Sequence, residues 1–276
     1  MTWATDHDAS IENLRKVQGS LTVGLIMVPR VDFLTCSLNE TAAEVKRRNT
    51  KDFSFMPVLD DHERIVGLHN AERWFKTDAP DTPVVKDFAP LSEENVIGAD
   101  ASIFDFILQA DKYPTNLVIS GNQIAGLVSL SDLQQLPVRA ALFALITSLE
   151  MAMALAIKRK WPEPSDWMEI LSEGRHKKLT TAIDEARSKD GFVSEIAFTQ
   201  FHDKADIICK GKLLQTPRRA GKKDFTAIRE LRDSVAHANR YAETPETAKR
   251  VCEIVRTINQ IKDDLLKIIE DLTPER

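Results

Sequence analysis

The sequence predicts an α+β N-terminal half followed by an all-α helical bundle, and three observations predict it. Residues 37–75 can be laid over residues 96–134 at an offset of 59 without a gap, so that Leu59, Ile65, Gly67 and Leu68 meet Val118, Ile124, Gly126 and Leu127. Strand signals stop after "SLSDLQQLP", and residues 138–276 read as helices separated by polar breaks. The last apolar segment keeps a seven-residue period, with Val251, Ile258, Leu265 and Leu272 on one track and Ile254, Ile261 and Ile268 on the other. That is the seam of a bundle or a coiled coil.

The chain opens on a helical lead-in, residues 1–19, which carries acids where a signal peptide needs basic residues and an apolar run. Cys36, Cys209 and Cys252 lie too far apart for a disulfide framework or a CxxC knuckle, which predicts a cytoplasmic home. The first repeat spans about 20–78 and the second about 82–136. Each opens on a short strand near a proline, Pro29 or Pro90, and continues through a helix ("NETAAEVKRRN"; "ADASIFDFILQADK"). Two apolar strands follow ("MPVLDDHERIVGL"; "NLVISGNQIAGLV"), joined by Asp60-Asp61 or Ser120-Gly121-Asn122, residues that suit a β-hairpin.

After Pro137, a good first-turn residue, "VRAALFALITSLEMAMALAIKRKW" is apolar nearly all round. A buried bundle helix is favoured over a membrane span, since Glu150 sits in its middle and alanine dominates. Further helices are expected at about 165–187, 194–213, 222–240 and 245–272, the last with Thr244 as N-cap and Pro245 at its first position. The heptad seam can be covered by a homodimer or by the chain itself. Charge separates the halves: residues 1–137 hold 12 Lys+Arg against 20 Asp+Glu, and the remainder 25 against 22. A polyanion should therefore prefer the second half.

The second repeat ends in "GLVSLSD", with Ser129 and Asp132 three apart. With the duplication, this resembles a tandem pair of CBS domains over about residues 20–136, a module of two βαββα units packed around adenine-nucleotide clefts. The resemblance implies that Ser129 and Asp132 hold a ribose; two vicinal hydroxyls can both donate to one carboxylate. The alternative is a simple helix start, with Ser129 or Ser131 as N-cap and Asp132 in the first turn. The first repeat reads "GLHNAER", placing Asn70 and Arg73 at the two positions. Arg64, Arg73 and Arg139 are phosphate partners or solvated surface residues.

Two stretches of the second half carry chemistry. "KGKLLQTPRRAGKK" holds Lys210, Lys212, Arg218, Arg219, Lys222 and Lys223 without an acid, as a loop that would attract a phosphate backbone regardless of sequence. "ELRDSVAHANRY" places Arg232, Asp233 and His237 within six positions. On a regular helix Asp233 shares a face with His237 and can fix its tautomer, Tyr241 lies one turn further on, and Arg232 is turned about 140° from His237. The plain alternative is an Arg229–Asp233 ion pair beside a helix-end histidine.

Arg-Asp-Ser-Val-Ala-His fits the Arg-x4-6-His signature, and residues 138–272 resemble a HEPN domain, many of which look like metal-independent endoribonucleases working as dimers. The resemblance implies that His237 moves protons, Arg232 stabilises the phosphorane and Asp233 orients the histidine. The basic stretch would hold flanking RNA, and the product would be a 2′,3′-cyclic phosphate. No cofactor is then expected for catalysis, and an adenine nucleotide is the expected regulator. The expected whole is a nucleotide-regulated ribonuclease of the stress, toxin or defence kind. Its partners would be RNA, a second copy of the chain, and an antitoxin or regulatory protein, with no membrane. The alternative is a non-catalytic nucleotide sensor whose helical half docks RNA or protein.

Overall fold

In the computed structural model, Lys16, Gly19–Lys189 and Ser194–Leu272 are described; the expected helical lead-in lies almost wholly outside them. The described chain divides into two compact units. One covers residues 22–133, and the other covers the described residues from 134 onward together with those before 22.

Within residues 22–133 the first repeat supplies β1 (Val28–Pro29), β2 (Cys36–Ser37), α1 (Ala42–Arg48), β3 (Phe55–Leu59) and β4 (Ile65–Asn70). The second supplies β5 (Phe88–Pro90), β6 (Val96–Gly98), α2 (Ile103–Ile107), β7 (Thr115–Ser120) and β8 (Gln123–Ser129). They build two four-stranded sheets, β2-β3-β4-β5 and β1-β8-β7-β6. Each repeat's opening strand has crossed to the edge of the other repeat's sheet, which ties the two repeats into one unit.

This crossing explains why a glycine faces a proline in both sheets. Pro29 is opposite Gly126, and Pro90 is opposite Gly67. Each proline sits on an edge strand, where its missing N–H leaves no gap in the sheet interior. Each glycine lies where the neighbouring backbone comes close: a Cβ on Gly67 would meet the Ala89 carbonyl at 2.1 Å, and one on Gly126 the Val28 carbonyl at 2.7 Å.

Local rules start the short helices. Thr41 and Glu44 form a reciprocal capping box on α1, and Ser102 and Asp105 form one on α2. In the first hairpin Asp60 Oδ1 accepts from the backbone N–H groups of His62 and Arg64, both at 2.9 Å. Cys36, Val45, Met56, Val58 and Ala71 form a core beneath α1, and Ile65 and Leu68 meet Leu117 between the sheets.

Within the second unit α3 (Leu136–Lys160) is the central helix, packing against α6 (Phe201–Lys210), α7 (Arg218–Ala236) and α8 (Pro245–Asp271). Three-sided contact is why it is apolar nearly all round. It is long and apolar enough to cross a membrane, yet 72% of its most apolar window is buried within the chain. The helix expected at 165–187 is two, α4 (Pro164–Met168) and α5 (Glu173–Arg187), because the chain turns at 169–171 before the N-cap Ser172. The helix expected at 194–213 is shorter: α6 begins only at Phe201, where Gln200 and Asp203 form a capping box.

The last helix runs Pro245–Asp271, and Thr244 Oγ1 accepts from the Thr247 N–H at 3.3 Å. Val251, Ile254, Ile258, Ile261 and Leu265 of its seam are buried, and α3 is the helix packed most extensively against it. The chain itself covers the seam as far as Leu265; Ile268 is half-buried and Leu272 is exposed.

Candidate functional site

The helix expected at 222–240 starts and stops four residues earlier, as α7, Arg218–Ala236. His237 has left helical geometry at φ −95°, ψ 13°, and Ala238 is left-handed at φ 56°. The Asn239 N–H reaches back to the Ser234 carbonyl at 2.9 Å, the six-to-one bond of a Schellman ending. Arg139 of α3 completes the cap. Its Nη1 donates to the carbonyls of Ser234 (3.1 Å) and Val235 (3.0 Å), and its Nη2 to that of Asn239 (2.9 Å). The same guanidinium lies 5.0 Å over the Tyr241 ring. Tyr241 is therefore not one turn along α7; burial pushes its hydroxyl up to about 12, partly offset by Arg139. Arg139 is committed to this helix end.

His237 is exposed, and its ring makes no hydrogen bond with the described residues. Its backbone N–H still bonds the Asp233 carbonyl at 3.0 Å, but the carboxylate of Asp233 lies 3.5 Å from Arg232 instead of on the imidazole. The expected Asp233–His237 side-chain pair is thus replaced: the Asp233 carboxylate faces Arg232, and His237 is the C-cap, outside helical geometry. The Arg229–Asp233 pair does not form either, since no salt bridge joins them.

Arg232 faces Glu150, the acid in the middle of the apolar helix. Its Nε lies 3.9 Å from Glu150 Oε2 on α3, while Glu150 Oε1 accepts from Lys204 Nζ on α6 at 3.0 Å. Lys204, only 5% exposed, also donates to the Thr199 carbonyl at 2.8 Å. Arg232 itself keeps 41% of its side chain exposed. Glu150 and Lys204 are 54 residues apart, so only an acid and a lysine each among buried neighbours could have hinted at the pairing.

Next to Lys204, Asp203 is buried and receives a two-pronged Arg175 guanidinium at 2.8 and 2.6 Å and the Gln200 N–H at 2.8 Å. Burial pushes its carboxyl up, but the Arg175 fork, the Gln200 bond and His202, 3.1 Å away, outweigh this and hold it below its ordinary value. These groups line a cleft of about 620 Å³. No motif marked this cluster in the sequence.

The basic stretch 210–223 is only partly a loop. Lys210 ends α6 and pairs with Asp206 at 2.7 Å; Arg218, Arg219, Lys222 and Lys223 form the first turns of α7. Lys212, Arg218, Arg219, Lys222 and Lys223 are exposed, with no acid in the first turn of α7. Cations there oppose the helix dipole, which an incoming anion would relieve. From Arg218 to Arg232 the helix rises about 21 Å. The cations thus lie well away along the axis from the Arg232–His237 end.

In the unit of residues 22–133, Asp132 is 7% exposed and its Oδ2 accepts from the Ser129 N–H at 2.7 Å and from Ser129 Oγ at 3.2 Å. Ser129 Oγ also meets Ser131 Oγ at 2.7 Å. Both residues expected to hold a ribose therefore stand together, joined as a cap at the start of the 3-10 turn Leu130–Gln134. At the matching place of the first repeat Arg73 pairs with Asp87 at 2.6 Å, and Arg64 pairs with Asp60 at 2.7 Å.

No family model matches the chain, and no curated protein is similar to it. Solved structures of CBS domains are similar to part of it. The CBS domain of a bacterial CNNM/CorC family Mg2+ transporter in complex with ATP is 18% identical at a TM-score of 0.37, over 45% of this chain and 92% of that one. A hemolysin-like protein containing a CBS domain, from Oenococcus oeni PSU, is 15% identical at 0.36, over 45% and 94%. CBSX2 in complex with AMP is 20% identical at 0.34, over 44% and 96%.

Proposed function

We propose that the chain is an adenine-nucleotide-regulated endoribonuclease of the HEPN type, acting as a dimer, with residues 22–133 as a CBS pair that senses the nucleotide. The observation that carries the nuclease reading is at the end of α7. A guanidinium flanked by Glu150 and Asp233 stays 41% exposed, and an exposed imidazole follows at the helix cap.

In this reading one His237 imidazole takes the proton of the ribose 2′-hydroxyl as its oxygen attacks phosphorus, and the protonated His237 of the second copy gives a proton to the departing 5′-oxygen. The phosphorus–O5′ bond breaks and a 2′,3′-cyclic phosphate remains. His237 suits either transfer, because one imidazole nitrogen can accept a proton while the other donates one. Arg232 balances the charge of the phosphorane through charge-assisted hydrogen bonds. Asp233 helps set Arg232, and Lys212, Arg218, Arg219, Lys222 and Lys223 hold flanking phosphates. The repeat, the crossed edge strands and the Ser129–Asp132 pair support the sensor reading.

A second reading, a non-catalytic sensor, is favoured by the Asp233 carboxylate facing Arg232, which leaves the His237 ring without an orienting acid. One assay separates the two: structured RNA is incubated in EDTA with the wild type, Arg232→Ala and His237→Ala, each with and without ATP or AMP. The nuclease reading expects cleavage by the wild type alone; equally intact RNA in every lane overturns it. Calorimetry with AMP and ATP tests the sensor half, with heat expected for the wild type and weaker binding for Asp132→Ala. Absence of heat for both nucleotides overturns that half.

A further inference from the structure

Glu150 occupies an unfavourable place for a carboxylate. Its neighbours along α3, Ile146, Leu149 and Met153, are buried, and only 25% of the Glu150 side chain reaches solvent. A charge there is tolerated only with a partner. Lys204 is that partner, yet Lys204 is itself buried and depends on Glu150 and the Thr199 carbonyl to accept its N–H hydrogen bonds. A pair of apolar side chains would fill the same volume with comparable stability. The pair therefore calls for a reason beyond packing.

That reason lies in the second oxygen. Lys204 occupies Oε1 and fixes the rotamer, which leaves Oε2 directed at the Nε edge of Arg232, 3.9 Å away. The distance exceeds a hydrogen bond, so Arg232 is held by charge and not locked. Asp233, 3.5 Å from Nη1, acts from the other side. The guanidinium is thus aimed by two carboxylates while its outer surface stays in water.

We infer that Glu150 and Lys204 are positioning residues for Arg232: Lys204 fixes Glu150, and Glu150 orients the guanidinium that meets the scissile phosphate. This inference rests on the nuclease reading above. Misplacing a catalytic group by about 1 Å can cost roughly 100-fold in rate, so the effect should fall on kcat.

The test compares the wild type, Arg232→Ala, Glu150→Gln and the double variant Glu150→Leu/Lys204→Met, with single-turnover rates and KM measured on one RNA in EDTA. The double variant removes the charge pair and leaves no buried ion unpaired. We expect it to melt near the wild type and to lose about 10- to 100-fold in kcat, with KM changed less than about three-fold. Glu150→Asp should recover part of the lost rate. Should the double variant fail to fold, Glu150→Gln is read in its place. If the wild type cleaves and Arg232→Ala does not, while the folded double variant keeps wild-type kcat, the positioning role is overturned and the nuclease reading stands. If the wild type leaves the RNA intact, both fall.

Discussion

Arg139 and Val235 are 96 residues apart, and the guanidinium of Arg139 donates to the Val235 carbonyl at 3.0 Å. With the bonds to Ser234 and Asn239 it satisfies three carbonyls at the end of α7, where helix dipole and unpaired acceptors both favour a cation. Arg139→Ala should lower the stability of the helical unit by about 2 kcal/mol in urea unfolding. It should also speed hydrogen exchange at the Asn239 N–H. Arg139→Lys should restore little, because a single ammonium cannot span the three acceptors. Unchanged exchange in Arg139→Ala would remove Arg139 from the account of the His237 turn.

Ala238 adopts a left-handed conformation at φ 56° with its side chain exposed. A Cβ in that region costs about 1 kcal/mol, and no buried contact repays it. Ala238→Gly should therefore raise stability by about 1 kcal/mol, opposite in sign to the usual effect of glycine. Differential scanning calorimetry checks this; a lower melting temperature would mean the turn is not left-handed in solution.

Asp203 gives the helical unit an acid limit. Its carboxyl sits below the ordinary value when folded, so its contribution is complete above the unfolded carboxylate pKa near 3.9 and is lost as pH falls through the lower folded value. Asp203→Asn leaves Arg175 without its charge partner and should cost about 3 kcal/mol at pH 7. The gap between wild type and variant should narrow below about pH 4. A gap independent of pH would show that Asp203 is not ionised in the fold.

The exposed cations at the start of α7 should act through phosphates and not through bases. In Arg219→Ala/Lys222→Ala the slope of log affinity against log salt should flatten by about 1.4 for single-stranded RNA, equally for unrelated sequences. Because Arg219 and Lys222 lie about 20 and 15 Å along the helix from Arg232, the variant should affect only RNAs long enough to span that distance, about five to six nucleotides at 3.4 Å each. A penalty on four-nucleotide substrates would contradict that placement.

The sequence made the duplicated unit legible because its signals are local or periodic: Asp60 and Gly121 turn hairpins, and Gly67 and Gly126 recur at an offset of 59 where backbone approaches closely. It did not show that β1 and β5 exchange sheets, which depends on pairing between distant segments. For α8 the heptad and the Thr244 cap were readable, but not what covers the seam, since periodicity describes a face and not its partner. The Arg–Asp–His stretch was visible as residue types, whereas its geometry was set from outside. Arg139 and the left-handed Ala238 end the helix early, and Glu150 with Lys204 replaces the expected Asp233–His237 pairing with one around Arg232.

The central claim concerns the bond that is broken and how its ends are left. The most direct measurement is the chemistry of the RNA ends produced by the wild type in EDTA, compared with His237→Ala. We expect 5′-hydroxyl and 2′,3′-cyclic phosphate termini, absent with the variant. Ends bearing 5′-phosphate and 3′-hydroxyl, or cyclic ends formed equally by His237→Ala, would contradict the account.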